Sequence, residues 1–214
     1  MGESFIPTVV RSLQAGVRWL KSQAESLTDP RDVAVTMTAL VGAERNSRSQ
    51  LVQRLAAILL RRQSANGSWS DELWDTTWSL RALLSAGYAK SHPAIEAGLR
   101  FLLATEDPLR GAWYEEPFET MLVVGLLADL SPEALAGSGS RALAWLFGLQ
   151  ASDGSIIGVR YTGMAVSLIA GLPPELASRY GEASARAVAW LRRARAPELA
   201  ALRSACSRRL VTVP

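Results

Sequence analysis

Cysteine and histidine each occur once in these 214 residues, as Cys206 and His92. A single cysteine excludes an internal disulfide and any cysteine-based zinc framework. The lone histidine, in Ser91-His92-Pro93 and far in sequence from Cys206, does not complete a ligand set. The expectation is therefore no metal and no cofactor. Lysine is nearly missing as well, at two of the 23 basic residues. Long apolar runs are absent, since nothing approaches the roughly 20 residues a bilayer span needs. Met1 to Thr8 lacks the basic start and apolar core of a secretion signal. Ile6 stands where a myristoylation signal wants Ser or Thr. These absences make a cytoplasmic location without a transmembrane segment the default expectation. Valine and isoleucine never alternate with polar residues over a strand-like run, and no linker or low-complexity tract interrupts the chain. A single domain spanning residues 1–214 is expected.

What is present is the balance of a globular protein, 49% hydrophobic and 20% charged. The charge is unevenly placed. From Arg186 onward there are seven arginines against the single acid Glu198. Such a basic end can meet nucleic acid, an anionic membrane or an acidic partner, or simply be a solvated helix pair. No aromatic interleaving accompanies Arg192, Arg193, Arg195, Arg203, Arg208 and Arg209, so nucleic acid is disfavoured.

The chain repeats. A small-residue pair followed by an aromatic-aliphatic pair recurs as Ala15-Gly16 with Trp19-Leu20, Ala97-Gly98 with Phe101-Leu102, Ala142-Leu143 with Trp145-Leu146, and Ala187-Val188 with Trp190-Leu191. Leu55-Ala56 and Ile58-Leu59 fill the same slots. Positions 19, 58, 101, 145 and 190 are 39, 43, 44 and 45 residues apart, the length of two helices and two loops. The first helix of each unit is amphipathic, as in Leu51, Leu55, Ile58 and Leu59 with Arg54, Arg61 and Arg62 turned away. It ends near Asn66-Gly67, Pro108 to Gly111, or Asp153-Gly154. The second helix opens with acids and continues apolar nearly all round, as in Thr120 to Leu130 and Tyr161 to Leu172, which marks a buried inner helix. The longer links Ser131 to Ser140 and Leu172 to Gly181 have room for an extra helical turn.

Gln63, Gly67 and Trp69, with Arg54, Ala56 and Ile58-Leu59, make a pattern that resembles the QW repeat of terpenoid cyclases, the squalene-hopene cyclase family. A second copy is Arg141, Ala142, Trp145, Leu146, Gln150 and Gly154, with Ile156 replacing the tryptophan. The third keeps Gly111 and Trp113 but has Glu106 at the glutamine position. The fifth has Arg195 there, and the first is degenerate around Gln23. The resemblance implies an all-α fold, an alpha/alpha toroid-like array of about five helical hairpins, as a small or incomplete toroid. In that family Gln63, Gly67, Trp69, Gln150 and Gly154 would be fold markers and not catalytic groups.

In the cyclases a D-x-D-D sequence opening an inner helix supplies the aspartate that protonates the substrate. The comparable place here reads Leu73-Trp74-Asp75-Thr76-Thr77. Setting Asp75 in the donor slot leaves Leu73 where the first aspartate belongs. Anchoring instead on Ala82-Leu83 puts Trp74 in the donor slot and Asp75 on the last aspartate. The second register agrees with the repeat, because Asp32, Asp75 and Glu119 are 43 and 44 residues apart. Acids at this place also suit the helix dipole and the unpaired amides of a first turn.

Two functions follow as expectations. One is a non-catalytic or regulatory module that binds a protein partner or a second copy of itself, with Trp74, Trp78, Trp113, Tyr114 and Tyr161 as candidate binding aromatics. The alternative is a small class II-like terpenoid cyclase or isomerase with Asp75 as general acid. Trp74, Trp78 and Tyr161 would then line an apolar cavity for an isoprenoid, their faces stabilising carbocations.

Overall fold

The computed structural model describes residues 5–194. Cys206, Arg195, Arg203, Arg208 and Arg209 lie outside them. The described residues are all-α with no strand; the nearest approach to one is an isolated bridge between Trp69 and Glu72. No described helix is long and apolar enough to cross a membrane. The chain divides into two compact units with the boundary between Thr105 and Glu106.

Unit 1 holds α1 (Phe5–Gln23), a 3₁₀ turn (Ala24–Ser26), α2 (Pro30–Glu44), α3 (Gln50–Arg62), α4 (Leu73–Ser85) and α5 (Pro93–Ala104). The starts of these helices follow from local chemistry. Asp29 caps α2 by accepting from the backbone of Arg31 and Asp32, with Pro30 in the first helical position. Ser49 caps α3, and the imidazole of His92 caps α5 ahead of Pro93. The lone histidine is thus spent on a helix start. In α3 the stripe Val52, Leu55, Ala56 and Leu59 is buried while Arg54, Arg61 and Arg62 are exposed, as the amphipathic pattern requires. α4 packs on α2 and α5 and buries polar as well as apolar positions: Leu73, Asp75, Thr76, Thr77, Ser79, Leu80, Ala82 and Leu83.

Unit 2 holds α6 (Pro117–Leu130), α7 (Pro132–Ala134), a π-helical turn (Leu135–Gly139), α8 (Ser140–Gly148), α9 (Val159–Ala170), α10 (Pro174–Arg179) and α11 (Gly181–Ala194). The two longer links do carry extra helix, as α7 with its π turn and as α10. α6 is buried on most sides and packs on α8 and α9, and α9 packs on α11. The second apolar segment is less covered than its composition suggests. α9 buries Thr162, Ala165 and Ile169, but Tyr161, Met164, Val166 and Leu168 stay half-exposed because fewer described elements lie against it. Met121, Leu146, Ile156 and Ala165 form its core contact, with Trp145, Phe147 and Tyr161 packed around them.

Candidate functional site

The turn that joins an outer to an inner helix is built the same way three times. In the second repeat the Gln63 amide donates to the carbonyls of Gly67, 2.9 Å, and of Ala94 on the first turn of α5, 2.8 Å. In the fourth, Gln150 donates to Gly154, 3.0 Å, and to Ala183 on the first turn of α11, 2.9 Å. Each glutamine thereby ties its own loop to the next outer helix. The glycines are required twice over. Gly67 and Gly154 have φ of +91° and +96°, and a Cβ on either would overlap a carbonyl of the next outer helix, at Ala97 or Arg186. Gly111 has φ of +69° and sits equally tightly against Arg141. Trp69 and Trp113 are completely buried, and the Trp69 indole donates to the Leu59 carbonyl, 2.8 Å.

A threonine completes each turn, and the motif reading missed it. The Thr76 hydroxyl accepts from Trp69 N–H at 3.0 Å, Thr120 from Trp113 at 3.1 Å, and Thr162 from Ile156 at 2.8 Å. All three hydroxyls are buried. The signal was in the spacing, since Trp69 to Thr76 and Trp113 to Thr120 are both seven residues.

Asp75 lies in the first turn of α4 and is 4% exposed. Its Oδ1 accepts from Arg31 Nε at 2.7 Å, and the Arg31 guanidinium also lies 5.7 Å from the centre of the Trp74 ring. Trp74 meets Trp78 at 6.3 Å and 46°. So Asp75 and Trp74 do come together around a cation that sequence reasoning did not name, and Trp78 lies against Trp74. The Trp78 Nε1 and Ser79 Oγ atoms are buried without a hydrogen-bond partner among the described residues.

The other three candidate aromatics belong to unit 2 and occupy different environments. Trp113 is core. Tyr161 is half-buried against the α9 contact, with the Arg160 guanidinium 5.7 Å from its ring and 4.8 Å from that of Phe118. Phe118 and Arg160 are each the second residue of their helix, so this contact sets the first turns of α6 and α9 side by side. The turns that precede them therefore share one end of the unit.

Tyr114 is in the first of those turns and is 54% exposed. It and Glu115 both have φ of +55°, between Trp113 and Glu116, whose N–H returns to Trp113 O at 3.1 Å. That is the pattern of a type I′ turn, which glycine and asparagine favour. The same turn in unit 1 holds Ser70 and Asp71, at +57° and +56°. In the second turn of unit 2 the corresponding residue is Ile157, at +49° and 57% exposed. A tyrosine and a β-branched residue in this region are outliers, each costing about 1–2 kcal/mol.

Three of the loops carry carboxylates with depressed pKa values. The Asn66 amide and Ser68 hydroxyl hold Asp71 low, the Leu109 N–H holds Asp107 low, and the Ser155 N–H and hydroxyl hold Asp153 low, helped by the Trp190 indole. Among the described residues no group of His, Cys, Asp and Glu has the arrangement of a metal site. No family model matches the chain, and no curated protein does.

Proposed function

We propose that this chain is a non-catalytic interaction module on a helical-hairpin scaffold like that of the terpenoid cyclases, and that it binds a protein partner through the turn end of unit 2. The observation that carries this reading is the pair Tyr114 and Ile157. Two large apolar side chains stand exposed, in corresponding turns, on backbone that disfavours them. Backbone strain of this kind gathers where a surface is used. Asp75 fits the same reading, because its buried carboxylate is bonded to Arg31 and not presented as a free acid.

The test is a double variant, Tyr114→Asn with Ile157→Asn. Asparagine relieves the left-handed strain and removes both apolar groups, so stability should rise by about 1 kcal/mol or more while binding of the native partner is lost. Site-specific photocrosslinking at position 114, with position 70 as control, identifies that partner in extract of the native cell. Unchanged partner recovery by the double variant rejects the reading.

The second reading, a small class II-like cyclase or isomerase acting on an isoprenoid, draws on the aromatic pair Trp74 and Trp78 beside Asp75. It requires turnover of a polyprenyl substrate that Asp75→Asn abolishes and Arg31→Gln does not.

A further inference from the structure

The connections at the far end of α3 and α4 from the Trp69 turn, residues 45–49 and 86–92, have a different chemistry from the loops described so far. They hold Arg45, Arg48, Lys90 and His92 and not one aspartate or glutamate. Between them lies a cleft of about 710 Å³. Ser47, Arg48, Gln53 and Tyr88 line it, together with residues 86, 87 and 89.

The shape of the cleft is set by the end of α4. Gly87, at φ +87°, closes the helix with its N–H on Leu84 O, 2.9 Å, while Tyr88 N–H reaches Leu83 O at 3.1 Å. A side chain on Gly87 would meet only the Ser47 hydroxyl, at 4.0 Å, so the glycine leaves the space open. Tyr88 is steadied by an edge contact with His92, 5.2 Å between ring centres. On the other wall Gln53 donates to Ser47 O at 3.0 Å, and the Asn46 carboxamide accepts from Arg48 N–H at 3.2 Å. Both bonds order the 45–49 connection around Arg48.

The charge of that arginine is not answered within the described residues. Lys21 is paired with Glu44 and Arg31 with Asp75, but Arg45, Arg48 and Lys90 have no ion pair among them. The first turn of α3, which carries Gln53 onto the cleft wall, has no acid either. An arginine, a serine, a glutamine and a tyrosine lining one cleft, with no carboxylate among the lining residues, suit a group offering several acceptor oxygens.

We propose that this cleft binds a phosphate monoester, with Arg48 as its charge anchor and Ser47, Gln53 and Tyr88 as its hydrogen-bonding walls. The phosphate belongs to a small soluble molecule or to a lipid headgroup. The site is separate from the turn end of unit 2 and does not depend on the partner reading given for it.

The test is a titration of the ¹⁵N-labelled full chain with inorganic phosphate at low ionic strength. Saturable amide shifts confined to residues 45–53 and 86–92 are expected. Arg48→Ala should weaken them at least tenfold, while Arg62→Ala, on the exposed face of α3 outside the cleft, should leave them unchanged. A second arm measures co-sedimentation with phosphatidylcholine vesicles containing phosphatidic acid, where Arg48-dependent pelleting assigns the headgroup as the source. If neither arm shows an Arg48-dependent response, or if sodium chloride at equal ionic strength produces the same shifts, the site does not exist.

Discussion

Arg141 grips Glu106 through one edge of its guanidinium, Nε to Oε1 at 3.0 Å and Nη2 to Oε1 and Oε2 at 2.7 and 3.0 Å. In the next repeat Arg186 Nη2 meets Gln150 Oε1 at 2.7 Å. The arginine on the following outer helix keeps its place, and only the charge of the residue it meets has changed. Glu106 is therefore a working variant of the glutamine position and not a decayed one.

Replacing Glu106 by Gln should then cost under about 1 kcal/mol, because the neutral pairing of Arg186 with Gln150 shows that the geometry accepts an amide. Arg141→Ala should cost more, about 2 kcal/mol, by leaving the nearly buried Glu106 carboxylate without its cation. Urea denaturation of both variants orders them, and the opposite order contradicts this account.

Gly67→Ala and Gly87→Ala separate steric from torsional cost. Both residues have φ near +90°, but only Gly67 faces a backbone carbonyl of the next helix. We expect about 1 kcal/mol for Gly87→Ala and about 3 kcal/mol or more for Gly67→Ala. Equal losses would show that the loop shifts freely away from Ala97.

Thr76→Val keeps the shape of the side chain while removing the acceptor of the buried Trp69 N–H and the donor to Glu72 O. A loss of about 1–3 kcal/mol is expected, with an unchanged denaturant slope. Thr38→Val, which removes only a helix-internal bond to Ala34 O, is the control and should cost less.

Asp153 makes one joint of the fourth turn sensitive to acid. Its folded pKa is depressed by the Ser155 N–H and hydroxyl, so the unfolded chain takes up the proton first as pH falls. The stability this carboxylate contributes is complete above the usual aspartate value of about 3.9 and is lost as pH falls below it. Asp153→Asn should flatten the part of the stability profile below about pH 4 without altering its shape near pH 7. A profile identical to that of the parent chain would remove Asp153 from the account.

The sequence exposed the hairpin order and the Gln63-Gly67-Trp69 turn because each of those residues has a chemical reason to sit there that shows in its type and spacing. The left-handed pair Tyr114 and Glu115 had no such signal, since residue preference argues against φ above zero at both positions. The bond from Arg31 to Asp75 joins residues 44 apart, and the first-turn acids gave no hint of which cation would answer them. Asp75 itself was visible as a question. Its partner became visible only when α2 was placed beside α4.

The glutamine bridges fasten each hairpin to its successor by neutral amide contacts, whereas the third turn is fastened by an ion pair with a half-exposed arginine. In a chain whose elements are held mainly by their neighbours, stability is local to each junction. Dissolved salt weakens the contact between Glu106 and Arg141 by screening and has little purchase on Gln63 with Ala94 or Gln150 with Ala183. Raising ionic strength should therefore quicken amide exchange at the start of α8 before it does so at the start of α5 or α11, which makes this junction one that the medium can loosen by itself.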